Sequence, residues 1–209
     1  MRLFSSVVVI LILSSCLEKN KDKTPVTTAD TLKLPPANQY SGTDQSPMDI
    51  SYYPPDFPQN KMSAGVQRER PVARVIYSRP HKKGRIIFSN EETSLCPYDK
   101  PWRLGANEAT EIEFFEPVII DGKNVSAGRY TMYCIPSADK WIIAINTNID
   151  TWGLLINPAK DILRTEVPVQ LQEQSLEDFT MFFVSSNYGA DLVMAWDKVK
   201  TVLPISFSQ

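Results

Sequence analysis

The chain has 209 residues, with 22 lysines and arginines against 24 aspartates and glutamates and a formal net charge of −2 at pH 7. This near balance argues against a nucleic-acid-binding protein, for which we expect a strongly basic domain. The only histidine, His81, lies in a basic turn. A histidine-based zinc site is therefore excluded, and a Ser-His-Asp triad is disfavoured. Without a Gly-rich phosphate loop or a calcium-loop motif, the sequence predicts no cofactor and no metal.

The N-terminus has the pattern of a bacterial lipoprotein signal. Arg2 precedes an apolar run at positions 3–13, which is shorter than the ~20 residues that a membrane-spanning helix needs. Leu13-Ser14-Ser15-Cys16 resembles a lipobox, in which the chain is cleaved before the cysteine and the thiol receives a lipid. We therefore expect residues 1–15 to be a signal peptide and Cys16 to be the lipidated residue. This predicts a protein of the bacterial cell envelope, lipid-anchored in the outer membrane on its periplasmic or surface face.

The rest of the chain is expected to form a flexible tether at 16–45 and one β-sandwich domain at 46–209. The tether is charged and rich in Thr, Pro, Asp and Asn, with too few apolar residues for a core. Residues 46–71 combine several prolines with aromatic residues. Prolines forbid a central strand, so we expect this stretch to be an extended strap lying over the domain.

From Val72 onward the pattern is typical of β-structure. Alternating and β-branched runs predict strands over 72–78, 85–88, 110–114, 118–120, 130–135, 141–146, 162–169, 180–184, 192–196 and 199–207. Asp121-Gly122 predicts a hairpin turn. Short helices are expected only at 158–162 or 175–178. Many short strands with frequent turns indicate an all-β fold, a single antiparallel, jelly-roll-like β-sandwich with at most one or two short helices.

Residues 102–110 combine an aromatic ring, a guanidinium, an amide, a carboxylate and a hydroxyl group in nine positions around a glycine. Loops that only connect strands are usually built from turn formers, so this segment indicates either a buried polar network or a recognition site. Tyr77 and Arg79 share one face of the preceding strand. The candidate ligand-binding residues are Tyr77, Arg79, Arg85, Trp102, Arg103, Asn107, Glu108 and Thr110, with Trp152 and Arg164 as further candidates.

Three interpretations of these residues stay open. In the first, Glu108 pairs with Arg79 or Arg103 in a buried structural network with Asn107. In the second, the arginines and Asn107 bind a carboxylate or sugar hydroxyls, with Trp102 or Trp152 as a stacking face. In the third, Glu108 is the general acid or base of a hydrolase or lyase. We favour a binding or accessory module for a small polar or anionic ligand or for a partner protein. We assign no catalytic residue, and Glu108 is the candidate only if the protein is an enzyme.

The two remaining cysteines also leave two alternatives. Cys96 and Cys134 lie in a chain with an export signal, where a disulfide between them would persist. Cysteine is equally common as a small buried hydrophobic residue. Neither lies beside a histidine in sequence, which disfavours a catalytic thiol.

Several motifs spread along the chain form one set. They are Tyr77-Ser78-Arg79-Pro80, Lys83-Gly84-Arg85-Ile86-Ile87-Phe88, Pro97-Tyr98, Trp102-Arg103, Gly105-Ala106-Asn107-Glu108-Ala109-Thr110, Gly122-Lys123, Ala127-Gly128, Tyr130, Ile135-Pro136 and Trp152-Gly153. Together they resemble a bacterial family, domain-of-unknown-function family 2911. The resemblance covers residues 46–207 and implies an exported protein of the Bacteroidota type, which agrees with the lipobox. The family has no established activity to carry over. Cys96 and Cys134 depart from its usual residues, and this disfavours a cysteine-based mechanism further.

Overall fold

The computed structural model describes residues 46–55, 57–62 and 70–207. The signal peptide predicted at 1–15, the lipidation predicted at Cys16 and the tether predicted at 16–45 all fall outside the described residues. The strands are β1 (Met48–Tyr53), β2 (Ala73–Ser78), β3 (Phe88–Ser89), β4 (Cys96–Pro97), β5 (Thr110–Phe114), β6 (Val118–Ile120), β7 (Lys123–Val125), β8 (Gly128–Pro136), β9 (Lys140–Asn146), β10 (Asp161–Pro168), β11 (Gln170–Ser186) and β12 (Gly189–Phe207). The helical elements are α1 (Phe57–Asn60) and a 3₁₀ helix at Pro158–Lys160.

Two antiparallel sheets form the body of the domain. One has six strands in the order β1-β2-β5-β8-β9-β10, and the other has four in the order β11-β12-β6-β7. A short parallel pair, β3 with β4, lies outside both sheets. Ile112 and Ile143 of the first sheet and Leu192 and Leu203 of the second share one buried apolar cluster. The prediction of an all-β antiparallel sandwich is confirmed.

Alternation explains which face of each strand is buried. In β5, Thr110, Ile112 and Phe114 are buried, whereas the two glutamates between them are partly exposed. Side chains at i and i+2 point to the same side of a strand, so this period-two pattern faces the core with its apolar half. The predicted hairpin is present as well, because Asp121 and Gly122 both have the positive φ that a tight turn between β6 and β7 requires.

Three details differ from the predictions. Residues 175–178 were expected to be helical, but they belong to β11, where register shifts near Leu171, Leu176 and Thr180 interrupt the pairing. The runs 192–196 and 199–207 merge into the single strand β12. Of the strand predicted over 85–88, only Phe88 is in a strand, the two-residue β3.

The stretch at 46–71 provides an edge strand, consistent with the exclusion of a central strand by its prolines. β1 pairs on one side with β2, and Pro54 follows its last residue. Among the described residues, no helix is both long and apolar enough to cross a membrane.

Candidate functional site

Trp102 lies in the aromatic core rather than on an open surface. Its ring stacks on Trp196 at 5.7 Å between centroids and meets the edge of Phe179 at 4.9 Å. Its backbone pairs with that of Cys134, and Nε1 donates to the carbonyl of Gly105 at 3.2 Å. Trp102 therefore anchors the 102–110 loop to the core and exposes only 8% of its surface.

The loop itself is held by contacts that explain several of its residues. The Thr110 hydroxyl donates to the buried carbonyl of Leu104 at 2.7 Å. Leu104 and Asn107 both have positive φ, so the chain turns twice within the segment. A Cβ on Gly105 would lie 3.0 Å from the carbonyl oxygen of Ser78, which leaves little space for any larger residue. Gly105 and Thr110 have structural roles here.

Tyr77 and Arg79 form a network with Asp49 of the edge strand β1. The Tyr77 hydroxyl donates to Asp49 Oδ2 at 3.1 Å and accepts from the Met181 amide at 2.9 Å. Arg79 Nη1 contacts the same Asp49 oxygen at 3.2 Å, and Nη2 donates to the Thr180 hydroxyl at 3.2 Å. Burial is the main cause that raises the pKa of Tyr77 to about 12. These contacts join the two sheets, with Asp49 in the place that the sequence suggested for Glu108.

Arg103 and Glu108 line different clefts, although only four residues separate them. Glu108 is exposed and lines a cleft of about 440 Å³ together with Glu111, Asp150 and Trp152. Arg103 is half-buried, and its Nε is buried without a hydrogen-bond partner. Within the described ranges no salt bridge joins the two side chains. The two turns at Leu104 and Asn107 separate them.

Three cationic side chains converge on a cleft of about 550 Å³, which we call the basic cleft. Its basic residues are Arg85, Lys100 and Arg103, and its apolar wall includes Leu95, Trp102, Leu154 and Ile156. No aspartate or glutamate is among the described residues that line it. The structure thus brings together three of the predicted site residues, Arg85, Trp102 and Arg103, and leaves Tyr77, Arg79, Asn107, Glu108 and Thr110 outside the cleft lining.

The two arginines of the basic cleft lack the carboxylate contacts that other arginines of the domain make. Arginines 74, 79, 129 and 164 each lie within 4.0 Å of a carboxylate oxygen. Arg85 instead donates from Nε to the Lys82 carbonyl at 3.0 Å and from Nη2 to the His81 carbonyl, which orients its guanidinium without neutralising it. Partial burial is the main cause that lowers the pKa of Arg103. Among the described residues, neither Arg85 nor Arg103 has a carboxylate within salt-bridge distance.

Gly153 positions the Arg103 side chain at the floor of the cleft. A Cβ on Gly153 would overlap Arg103 Cδ and would lie 2.7 Å from the carbonyl oxygen of Asn107 and 2.9 Å from that of Glu108. The Gly153 amide also donates to the Asn107 carbonyl at 3.1 Å. The glycine therefore lets the 102–110 loop and the 151–156 segment approach closely, with Arg103 lying across their junction.

The other candidates have different surroundings. Cys96 and Cys134 are both buried and free, so the disulfide alternative is not realised. Burial raises the pKa of each thiol well above its usual value, which opposes a nucleophilic role. Arg164 donates to Asp161 at 2.7 Å and to the Tyr133 hydroxyl at 2.9 Å. In the part of the chain that the structure describes, no group of three or more His, Cys, Asp or Glu side chains is arranged to hold a metal ion.

Sequence reasoning missed four residues of the basic cleft, Leu95, Lys100, Leu154 and Ile156. Lys100 resembles any solvated loop lysine, because its neighbours carry no motif that points to a site. Leu154 follows the Trp152-Gly153 motif, and that adjacency was the one signal available in the sequence.

Comparison with known proteins identifies the family. A comparison with curated proteins found no match, and a comparison with solved structures found none either. The family model described as "Protein of unknown function (DUF2911)" matches residues 58–205. This match covers the second strand of the fold through most of the last one and includes every residue of the basic cleft except Ser46. The chain therefore belongs to the DUF2911 family of proteins of unknown function.

Proposed function

We propose that this protein is a binding module that recognises a small anionic ligand, with a carboxylate as the simplest form, in the basic cleft. The observation that carries the proposal is the set of three cations, Arg85, Lys100 and Arg103, on a wall without a described acidic residue. A guanidinium presents its donors in a planar fork that matches the two oxygens of a carboxylate or phosphate. A volume of about 550 Å³ is in the range of small-molecule sites.

The energetics of Arg103 support the same proposal. The half-buried Arg103 guanidinium loses hydration and has no carboxylate within salt-bridge distance among the described residues. Partial burial lowers the pKa of Arg103 and outweighs the charge of Glu108, which favours the protonated form. An anion in the cleft would compensate this loss of hydration, and it would do so in a site where the surrounding apolar wall weakens screening by water. Without a ligand, the desolvation of the Arg103 guanidinium is therefore not fully compensated. Binding of an anion would compensate it, and this favours binding.

A catalytic role for Glu108 receives no such support. Glu108 is exposed in the neighbouring cleft, where Glu111 and Asp150 are its acidic neighbours. General acid-base catalysis needs the carboxyl group within hydrogen-bond reach of the bound substrate. Glu108 is not among the residues that line the basic cleft, so the binding function is preferred to the hydrolase or lyase alternative.

A thermal-shift screen tests the proposal on the full chain. The compounds are acetate, succinate, glucuronate and inorganic phosphate, with glucose as the neutral comparison. A ligand that binds only the folded state raises the melting temperature. We expect at least one anion to raise it in wild type and in Arg164→Gln, and to have no effect in Arg103→Gln. Arg164 is a matched control because it is paired with Asp161 outside the cleft.

Two results would contradict the proposal. In one, glucose and the anions raise the melting temperature equally, which would indicate a neutral sugar site. In the other, no anion raises the melting temperature of the wild type, which alone refutes the proposal; capture of an envelope protein through the cleft would then favour the partner-protein alternative.

We also propose that Cys16 carries a lipid that anchors the protein in the bacterial envelope, in the outer membrane. The support is the sequence Leu13-Ser14-Ser15-Cys16 after a short apolar run with Arg2 before it. Acyl chains contribute ~0.8 kcal/mol for each buried CH₂ group, so two or three chains suffice for stable anchoring. Fractionation of cells that express Cys16→Ser should move the protein from the membrane to the soluble fraction. Unchanged membrane association of that variant would refute the anchor.

A further inference from the structure

The basic cleft has an apolar side that the three cations do not account for. Leu154 lines the cleft and exposes 71% of its surface, and Leu95 lines it as an exposed residue too. The Leu95 amide donates to the Ile86 carbonyl at 3.0 Å, and Ile86 exposes 56%. Ile156 adds a partly buried aliphatic side chain to the same wall. Aliphatic side chains from two separate segments, Leu95 in one and Leu154 and Ile156 in the other, therefore line one cleft.

Single exposed leucines are ordinary, but a contiguous set beside a binding cleft is not. Leu171 on β11 illustrates the ordinary case, since it exposes 80% of its surface and lines none of the clefts described above. The apolar side chains at the basic cleft differ because they continue the wall that holds Arg103 and Lys100. A ligand that only carried charge would leave this apolar surface in water.

We propose that the ligand of the basic cleft is a monomeric amphiphilic anion, a charged head on an aliphatic chain. This inference rests on the proposed function and names the class of its ligand. The head lies against Arg85, Lys100 and Arg103, and the chain lies along Leu95, Leu154 and Ile156. The charged head and the aliphatic chain of such a molecule both contact complementary surface in one cleft. A hydrophilic anion would contact only the cations, and a neutral alkane would contact only the apolar wall.

Calorimetric titration of the full chain carrying Cys16→Ser tests the inference, because no acyl chain of the protein itself then competes for the cleft. The probes are octanoate with acetate, octyl phosphate with inorganic phosphate, and 1-octanol as the uncharged chain. Burying only two methylene groups makes binding about tenfold tighter. We expect at least one of the two eight-carbon anions to bind at least tenfold more tightly than its short counterpart. We expect 1-octanol to bind more weakly than octanoate and octyl phosphate.

Two variants assign the effect to the cleft. Leu154→Ser should reduce the ratio between the affinities for the long-chain anion and its short counterpart from tenfold or more to about one. Leu171→Ser makes the same change at a similarly exposed leucine outside the cleft, and it should alter the affinity for neither anion. Arg103→Gln should weaken the binding of both the long and the short anion, whereas Arg164→Gln should leave both affinities unchanged.

The possible failures are distinct. If long and short anions bind equally and both require Arg103, the proposed function stands and the amphiphile inference is wrong. If no anion of either length binds, both are wrong. If the chain binds vesicles of an anionic phospholipid but no monomeric amphiphile, the cleft is a membrane contact and the inference is again wrong.

Discussion

Replacing Arg103 with methionine should stabilise the ligand-free protein while abolishing anion binding. Methionine keeps an unbranched apolar stem over Gly153 and removes the guanidinium. The buried Nε of Arg103, which has no hydrogen-bond partner, disappears with it. Replacing a residue that serves ligand binding at a cost in stability should raise the free energy of unfolding. Replacing one partner of a structural ion pair should lower it.

The size of the effect follows from the surroundings of Arg103. An unsatisfied buried polar group costs about 1–3 kcal/mol. Arg103 is only half-buried, so we take the lower end and expect the free energy of unfolding to rise by about 1 kcal/mol. In a chain of this size that corresponds to an increase in melting temperature of about 2–4 °C.

Urea unfolding without ligand measures this change, and Arg79→Met is the matched control. Arg79 contacts Asp49 and Thr180, each at 3.2 Å, so its loss should lower the free energy of unfolding by about 0.5–1 kcal/mol. If Arg103→Met destabilises the protein as much as Arg79→Met does, Arg103 belongs to the structural framework and the argument for an anion site collapses.

The contacts beneath the cleft predict three further outcomes. Thr110→Val should lower the free energy of unfolding by about 1–3 kcal/mol, since the buried carbonyl of Leu104 loses its donor. Thr110→Ser keeps the hydroxyl and should retain most of the stability. Equal losses in the two variants would contradict this role of the hydroxyl. Because burial raises the pKa of Tyr77 from 10.0 to about 12, the folded state favours the neutral phenol. Its contribution to stability is complete below pH 10 and is lost as the pH rises towards 12, so this loss should be smaller in Tyr77→Phe. Cys96 and Cys134 should resist a thiol reagent at pH 8 until the protein is unfolded in urea, and rapid labelling of native protein would contradict their burial.

The fold was largely predictable because apolar alternation is a local property of the sequence. β5 begins and ends where the period-two pattern of residues 110–114 does. The first half of β11 was harder to predict, because residues 170–178 are mostly exposed and polar and therefore show no alternation of apolar and polar side chains. Their short helix-like composition at 175–178 was overridden by pairing with β12, which contributes hydrogen bonds that no local pattern reveals.

The site was predictable only as a segment. Residues 102–110 do contribute to the basic cleft, but sequence spacing suggested that Arg103 and Glu108 act together. The positive φ values of Leu104 and Asn107 rotate the chain between them, and this is a property of the folded loop. The role of Leu154 depends on its segment meeting the 102–110 loop at Gly153. Long-range contacts of this kind have no counterpart in a single sequence.

Nuclear magnetic resonance of the arginine side chains tests the central claim most directly. The Nε–Hε resonances of Arg103 and Arg164 are followed while octanoate is titrated into the Cys16→Ser chain. Arg164 already donates from Nε to Asp161 and serves as the internal reference. We predict a saturable shift of the Arg103 resonance and none of the Arg164 resonance. An Arg103 resonance that stays unchanged while octanoate binds elsewhere, or that moves no more than that of Arg164, would contradict the assignment of the basic cleft as an anion site.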